Sequence, residues 1–457
     1  MKKYFYIIAI FSLICFIFLS QIGCKNKSAE KNDSATQSNT NINIKYDVIG
    51  GQLIFDEKSG IIIGFTGEPT NITIPSDING VNVTAIGDSA FEKCQSLNSV
   101  SLPDDITKIG KRAFSRTGLS EINIPEKIIS IGDYAFSYCA SLQKVNIPQN
   151  ITNLGEGVFL GCQMLKTIEI PNNVTKIGGN AFYGCSTLTS IILPDSITNI
   201  GSYAFSNCDG IGNVNIPRNV TQIGDNPFSD CDNLQEITVD LNNTSYISRK
   251  GILYNSSGTS LIAYPGNFSG NYLISDKVEK IENSAFEGCK KIKQIDLPNT
   301  VKSVGNRAFF SSSITNISIP NSVNEIGELA FSECSNLSAI KIPDSVTKIG
   351  LSIFANCINL TSVHLSPNIT SIDKYSFSGC AKLSEIYMPE KIISIGDQAF
   401  SNCTGLKAIY FTGNAPEMGS NVFSNTNADF LVFYPANNST YSNPWNGYST
   451  KSYTPNK

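Results

Sequence analysis

One arrangement of apolar and polar positions returns along most of the chain, and residues 142–162 show it whole. Leu142, Val145 and Ile147 are apolar, whereas Gln143, Lys144 and Asn146 are polar. The alternation in Val145-Asn146-Ile147 has period two, which predicts a short strand with one face inward. Pro148 ends that strand, because a proline nitrogen cannot donate to a further ladder bond. Ile151 and Leu154 point back into the core, and Gly155 permits a tight turn at little steric cost. Phe159 and Cys162 then lie three apart, the spacing of one helical face, so a single helical turn is predicted to close the coil.

The Phe of this pattern recurs at Phe91, Phe114, Phe136, Phe159, Phe182, Phe205 and Phe228. After a break it returns at Phe286, Phe309, Phe331, Phe354, Phe377, Phe400 and Phe423. Successive steps are 22 or 23 residues, apart from one of 58. A fixed period of about 20–30 residues marks an array in which each copy buries its apolar face against the next. The outer surface of such an array is free to bind something. The predicted fold class is an α/β repeat solenoid of about fourteen coils, each with a short strand and a short helical turn. At a strand spacing of about 4.8 Å it would be a rod of roughly 65–70 Å.

Two departures break the pattern. The copies at Phe114 and Phe309 are each one residue short and lack the Cys, which places the deletion in the turn outside the strand. The 58-residue step contains Ile252-Leu253-Tyr254 and Leu261-Ile262-Ala263-Tyr264 around Asn255-Ser256-Ser257-Gly258-Thr259-Ser260. This predicts a β-hairpin elaborating one coil, at about 240–275. Terminal coils need covers, since each would otherwise expose an apolar edge. Residues 45–85 are assigned to an N-terminal cap and 86–411 to the repeats. Residues 412–457, with Tyr434, Tyr441, Trp445 and Tyr448, are assigned to the last repeat and a C-terminal cap.

The first residues read as an address. Lys2 and Lys3 precede the apolar run Tyr4 to Leu19, and Gly23-Cys24 follows. This resembles a lipoprotein signal peptide over 1–23, with cleavage before Cys24 and lipid on its thiol, although Gln21 departs from the usual Leu. Ordinary secretion and a retained anchor are the alternatives. Residues 24–44 are rich in Asn, Ser, Thr and Lys, the composition of a disordered spacer. The expected location is exported, lipid-anchored to the bacterial envelope, at the outer membrane or cell surface.

The repeat Gly132-Asp133-Tyr134-Ala135-Phe136-Ser137-Tyr138-Cys139-Ala140-Ser141-Leu142, followed by Val145, Ile147 and Pro148, resembles the BspA-like leucine-rich repeats of bacterial surface proteins. The likeness covers roughly residues 45–457. It implies a leucine-rich-repeat rod and attachment to host matrix proteins or to other cells, without identifying a ligand.

Composition narrows the chemistry. The net charge is −4 with 16% charged residues, which argues against a nucleic-acid groove built from clustered Lys and Arg. Thirteen Cys are present, eleven of them three residues after a repeat Phe. An exported chain with many Cys suggests disulfides. Here the slot is inward and the stacked side chains run parallel, so free buried thiols are expected at all eleven. One Cys per coil, with a single His in the chain, is not a metal-ligand cluster, so no metal and no cofactor is expected. The Asn-x-Ser/Thr triplets at Asn82, Asn150, Asn173, Asn219, Asn243 and Asn267 are read as turn chemistry, with glycosylation the alternative.

No catalytic residue is assigned. His364, the sole histidine, falls at an outward strand position with no nucleophile motif beside it. Glu121, Glu169 and Glu236 are not paired as a glycosidase would need. The fifth strand slot faces outward in every coil, and its last members are Lys341, His364, Tyr387 and Tyr410. Neighbouring exposed rings are common interface anchors. They also stabilise adjacent strands, so this row is either a partner contact or a structural ladder. The function expected is a surface-anchored protein binding other proteins or cells, an adhesin for host extracellular components. A structural or self-associating envelope protein is the alternative. Neither nucleic acid nor a small-molecule substrate is expected as partner.

Overall fold

A computed structural model describes residues 43–268 and 272–454. Cys24 and the rest of the expected signal and spacer lie outside the described residues. The chain divides into two compact units, Met1–Val174 and Thr175–Lys457.

In the first unit the strands Asn43–Val48, Gly51–Asp56 and Ile61–Gly67 form an antiparallel meander. A bulge between Ile54 and Phe55 bends its middle strand. The third strand then pairs in parallel with Ala85–Ile86, and the ladder continues through Lys108–Ile109 and Ser130–Ile131. A second ladder, on the side of the predicted strand, pairs Asn71–Thr73 with Ser99–Ser101 and Glu121–Ile122 with Lys144–Val145. The first ladder is thus continuous over these coils, whereas the second side is made of separate short pairs and residues 166–170 form no strand.

The second unit repeats this opening. Tyr246–Arg249, Ile252–Asn255 and Ser260–Ala263 form an antiparallel meander, again irregular at its middle strand. The third strand pairs in parallel with Lys280–Ile281, followed by Ser303–Val304 and Glu325–Ile326. Tyr272–Leu273 then pairs with Gln294–Asp296 as Asn71–Thr73 pairs with Ser99–Ser101. The insertion is thus a second copy of the opening module. Phe65 and Tyr264 fill the ring slot of their modules, tilted by 31° and 34° against Phe91 and Phe286. With these two, the solenoid has about 16 turns, two more than the fourteen carrying the repeat Phe.

The expected helical turn is not formed, and no helix occurs among the described residues, which corrects the α/β assignment. The backbone shows why. Residues two before and two after the Phe adopt left-handed φ, as at Tyr134 and Tyr138, both +58°. A left-handed residue cannot continue a right-handed helix. Alternate amides instead donate to the following coil: Tyr134 N–H to Glu156 O at 2.8 Å, and Phe136 N–H to Val158 O at 3.0 Å. Between them Ser137 N–H donates to Tyr134 O at 3.0 Å, a tight turn. The three-residue spacing of Phe and Cys arises from turns joined by inter-coil bonds. The fold is a leucine-rich-repeat β-solenoid.

Core packing follows from the stack. The repeat Phe residues are buried, with neighbouring centroids 5.3 Å apart for Phe91–Phe114 and 5.4 Å for Phe309–Phe331, and with nearly parallel planes. A continuous core in the second unit runs from Ile252 to Trp445, where Trp445 meets Phe411 edge-on and Tyr448 meets Phe423 edge-on. The repeated Asn of the turn is spent on the backbone. Asn150, Asn173, Asn219 and Asn368 each donate a side-chain N–H to a carbonyl of the preceding coil at 2.7–2.9 Å. Their amide nitrogens serve as turn chemistry.

The thiols form a directed column. Cys139 Sγ donates to Phe114 O at 3.1 Å, Cys162 to Phe136 O at 3.2 Å, and Cys357 to Phe331 O at 3.1 Å. In the two short coils a hydroxyl replaces the thiol: Thr117 bonds Phe114 O at 2.9 Å, and Ser312 lies 3.4 Å from Cys334 Sγ. Ten of the eleven repeat cysteines are free and buried. Cys94 is the exception and is disulfide-bonded, which corrects the expectation that all eleven are free. Parallel stacking forbids bonds within the column, and the other ten are unpaired. Cys94 opens the column, with no Cys in the coil before it. Burial pushes the Cys139 thiol up to about 11 and Cys334 to about 12, so thiolate is scarce at neutral pH. A thiol reagent should therefore label the native full chain slowly and at least ten cysteines after denaturation without reductant. Rapid native labelling of several would show that the column is not sealed.

Candidate binding surface

The outward slot identified from sequence lies on one exposed row of the second unit. Lys341, on strand Ala339–Lys341, pairs in register with His364 of Ser362–His364. Tyr387, on Glu385–Met388, pairs with Tyr410 of Ala408–Phe411. All four positions sit opposite inward Ile, Val or Phe neighbours, so strand alternation sends them outward. Lys341 and His364 are exposed, Tyr387 is 54% exposed and Tyr410 is half-buried.

The row extends beyond the residues named from sequence. Phe433, on Leu431–Pro435, pairs with Tyr410, and Lys451, on Thr450–Tyr453, pairs with Phe433. Phe433 lies ten residues after Phe423, as Tyr410 does after Phe400. The same count finds it within the segment assigned to the last repeat and C-terminal cap. Lys451 and Tyr453 carry no repeat signal.

The rings use their faces on one another. Tyr387 and Tyr410 stack with centroids 4.5 Å apart and planes within 9°, and Tyr410 and Phe433 at 4.7 Å and 19°. Tyr453 meets Tyr410 edge-on at 5.5 Å and donates its hydroxyl to Phe411 O at 3.1 Å. Ring edges and the Tyr387 and Tyr410 hydroxyls are left outward. Desolvation, with the nearby Tyr387 and Glu385, raises the Tyr410 phenol, so it stays a donor at neutral pH. No ion pair is formed by Lys341, His364 or Lys451 among the described residues.

A second cluster of ionisable groups lies beside the insertion. Glu287, buried, takes the slot after the Phe that Ser229 fills in the coil of Phe228 and Phe310 in the coil of Phe309, and bonds Arg307 Nε at 3.1 Å. Arg307 lies over the Phe310 ring at 3.7 Å. Asp230 meets this pair through its backbone, its amide donating to Glu287 O at 3.4 Å. Burial, and then the negative charge of Glu287, push the Asp230 carboxyl up to about 6, while Lys290 and Arg307 oppose the rise. Lys290 is spent on Asp232 at 2.7 Å. Among the described residues no group of three or more His, Cys, Asp or Glu is arranged to hold a metal ion.

A two-ladder solenoid with a buried ring column and an outward residue row defines a leucine-rich-repeat protein. The chain belongs to the family described as the BspA type leucine-rich repeat region, whose profile matches residues 66–186, 157–270, 263–350 and 330–447. It is similar to a leucine-rich cell surface protein of Faecalibacterium prausnitzii. That protein is 30% identical, with a TM-score of 0.60 over 80% of this chain and 94% of that one. It is also similar in fold to a leucine-rich repeat protein of Eubacterium ventriosum, at 24% identity and a TM-score of 0.59 over 84% and 95%. No curated protein matches the chain.

Proposed function

We propose that this chain is an exported module, held by lipid at Cys24, that presents the solenoid at the bacterial surface to bind extracellular components of other cells. The observation that carries this reading is the exposed row Lys341–His364–Tyr387–Tyr410–Phe433–Lys451. It is a line of ring edges and donors held outward by the strands, with Lys341 and Lys451 forming no ion pair among the described residues. Stacked coils are rigid and contact only their neighbours, so such a row is preorganised and loses little side-chain entropy on binding. The cell-surface character of the similar Faecalibacterium protein supports the location. The signal-like residues before Cys24 support the tether.

The test is adhesion of cells displaying the full chain to immobilised extracellular matrix. Wild-type cells should adhere, and cells carrying Cys24→Ala should release the protein and lose adhesion. Wild-type cells that adhere no better than cells without the chain would overturn the binding role. Adhesion that survives Cys24→Ala would overturn the anchor.

A further inference from the structure

We propose that the row from Lys341 to Lys451 is a docking strip for an anionic polysaccharide. This rests on the reading of the chain as a surface binding module and names the class of partner.

A sugar that stacks on an aromatic face needs that face free, but Tyr410 spends both faces on Tyr387 and Phe433, each of which gives up one of its own. What they present is edges, and the edge of an aromatic ring is its electropositive rim. The Tyr hydroxyls add hydrogen-bond donors along the same line. An array of positive edges and donors suits acceptors and negative charge.

The chain as a whole carries −4. The strip departs from that balance. Lys341 stands at one end and Lys451 at the other, with His364 beside Lys341 and the exposed Lys407 just before the strand of Tyr410. Glu385, two residues before Tyr387 on the same outward face, is the carboxylate that opposes them.

The slots pair in register from Lys341 to His364 and from Tyr387 through Lys451, and at the strand repeat of about 4.8 Å the latter four span about 14 Å. One sugar unit of an extended polysaccharide is close to that repeat in length, so successive units can meet equivalent slots. Small side chains, Ala339, Ser362 and Ala408, lie two residues before Lys341, His364 and Tyr410, whereas Glu385 and Leu431 hold that place before Tyr387 and Phe433. An acidic protein partner would instead seat side-chain anchors in sockets. The surface grooves around Val100 and around Ser130 contain no residue of the strip.

The experiment measures binding of the purified full chain to immobilised hyaluronate, heparin and dextran, which offer carboxylate, sulfate and no charge. Binding to at least one anionic glycan, absent on dextran and weakening as salt rises, is expected. Lys341→Ala with Lys451→Ala should weaken it tenfold or more and reduce its salt dependence. Tyr387→Ser with Tyr410→Ser should weaken it about tenfold. The fold accepts that change, because Ser318 already fills the same slot, and native thiol protection checks it. Glu385→Gln should strengthen binding, which a folding defect would not do. Equal binding to dextran, no binding to either anionic glycan, or indifference to all three variants would overturn the proposal. If wild-type cells adhere to matrix proteins while the chain ignores every glycan, the partner class is wrong and the surface-binding role stands.

Discussion

Phe331→Ala should lower stability by about 3–5 kcal/mol, the range for removing a fully buried ring and leaving a cavity. Phe331 is fully buried, with Phe309 at 5.4 Å on one side and Phe354 at 5.7 Å on the other. Both rings would lose a partner face. The backbone at this position bonds Ile353 O at 3.0 Å. That bond keeps the coil in register, so collapse cannot easily refill the space. In a solenoid each coil touches only its neighbours. Hydrogen exchange should therefore rise most in the coils of Phe309, Phe331 and Phe354. Urea unfolding reads the magnitude, and unchanged unfolding would show that the ring column does not carry the stack.

Asp230→Asn should stabilise the protein at pH 8 and make almost no difference at pH 4. The Asp230 carboxyl stands at about 6 in the folded chain against an ordinary 3.8, so folding favours its protonated form. A raised acid contributes stability that is fully present below its unfolded value and lost as pH rises through the folded one. The loss falls between about pH 4 and pH 6. It approaches roughly 3 kcal/mol, since each tenfold change in proton affinity is worth about 1.4 kcal/mol. Asn removes the charge and keeps the shape. It also suits the left-handed backbone, since Asn207, Asn356 and Asn402 occupy the equivalent position with φ of +58°, +59° and +58°. Chemical unfolding of both proteins across this range tests the point. A stability difference that is the same at pH 4 and pH 8 would show that Asp230 does not titrate in this way.

Much of the architecture was legible because the solenoid writes its register into the chain. The spacing of Phe91 to Phe423, the alternation in strands such as Val145-Asn146-Ile147, and the inward Cys slot all report local geometry that each coil repeats. The missing helix was not legible. A three-residue spacing of Phe and Cys suits a helical turn and a pair of tight turns equally well, and only the left-handed φ at positions such as Tyr134 and Tyr138 separates them. Cys94 escaped for a different reason. Parallel stacking disfavours bonds between neighbouring thiols of the column, and Cys94, at its open end, has such a neighbour on neither side, since the next coil carries Thr117. The outward placement of Lys341, His364, Tyr387 and Tyr410 followed from counting along the strand, but the use of the ring faces did not, because side-chain torsion is not in the count. The Asp230–Glu287–Arg307 cluster had one visible sign, a Glu in a column otherwise filled mostly by Ser. Its meaning depended on how the insertion brings position 230 against position 287.

The opening meander occurs twice, at 43–67 and at 246–263, each time followed by the same parallel ladder. A repeat array is hardest to begin, because its first coil has nothing to lean on. A chain that carries two beginnings can gain or lose whole 23-residue copies behind either one without having to reinvent a start. The number of coils after each meander, and with it the reach of the surface each presents, is then free to drift between relatives while the ring and thiol columns stay in step.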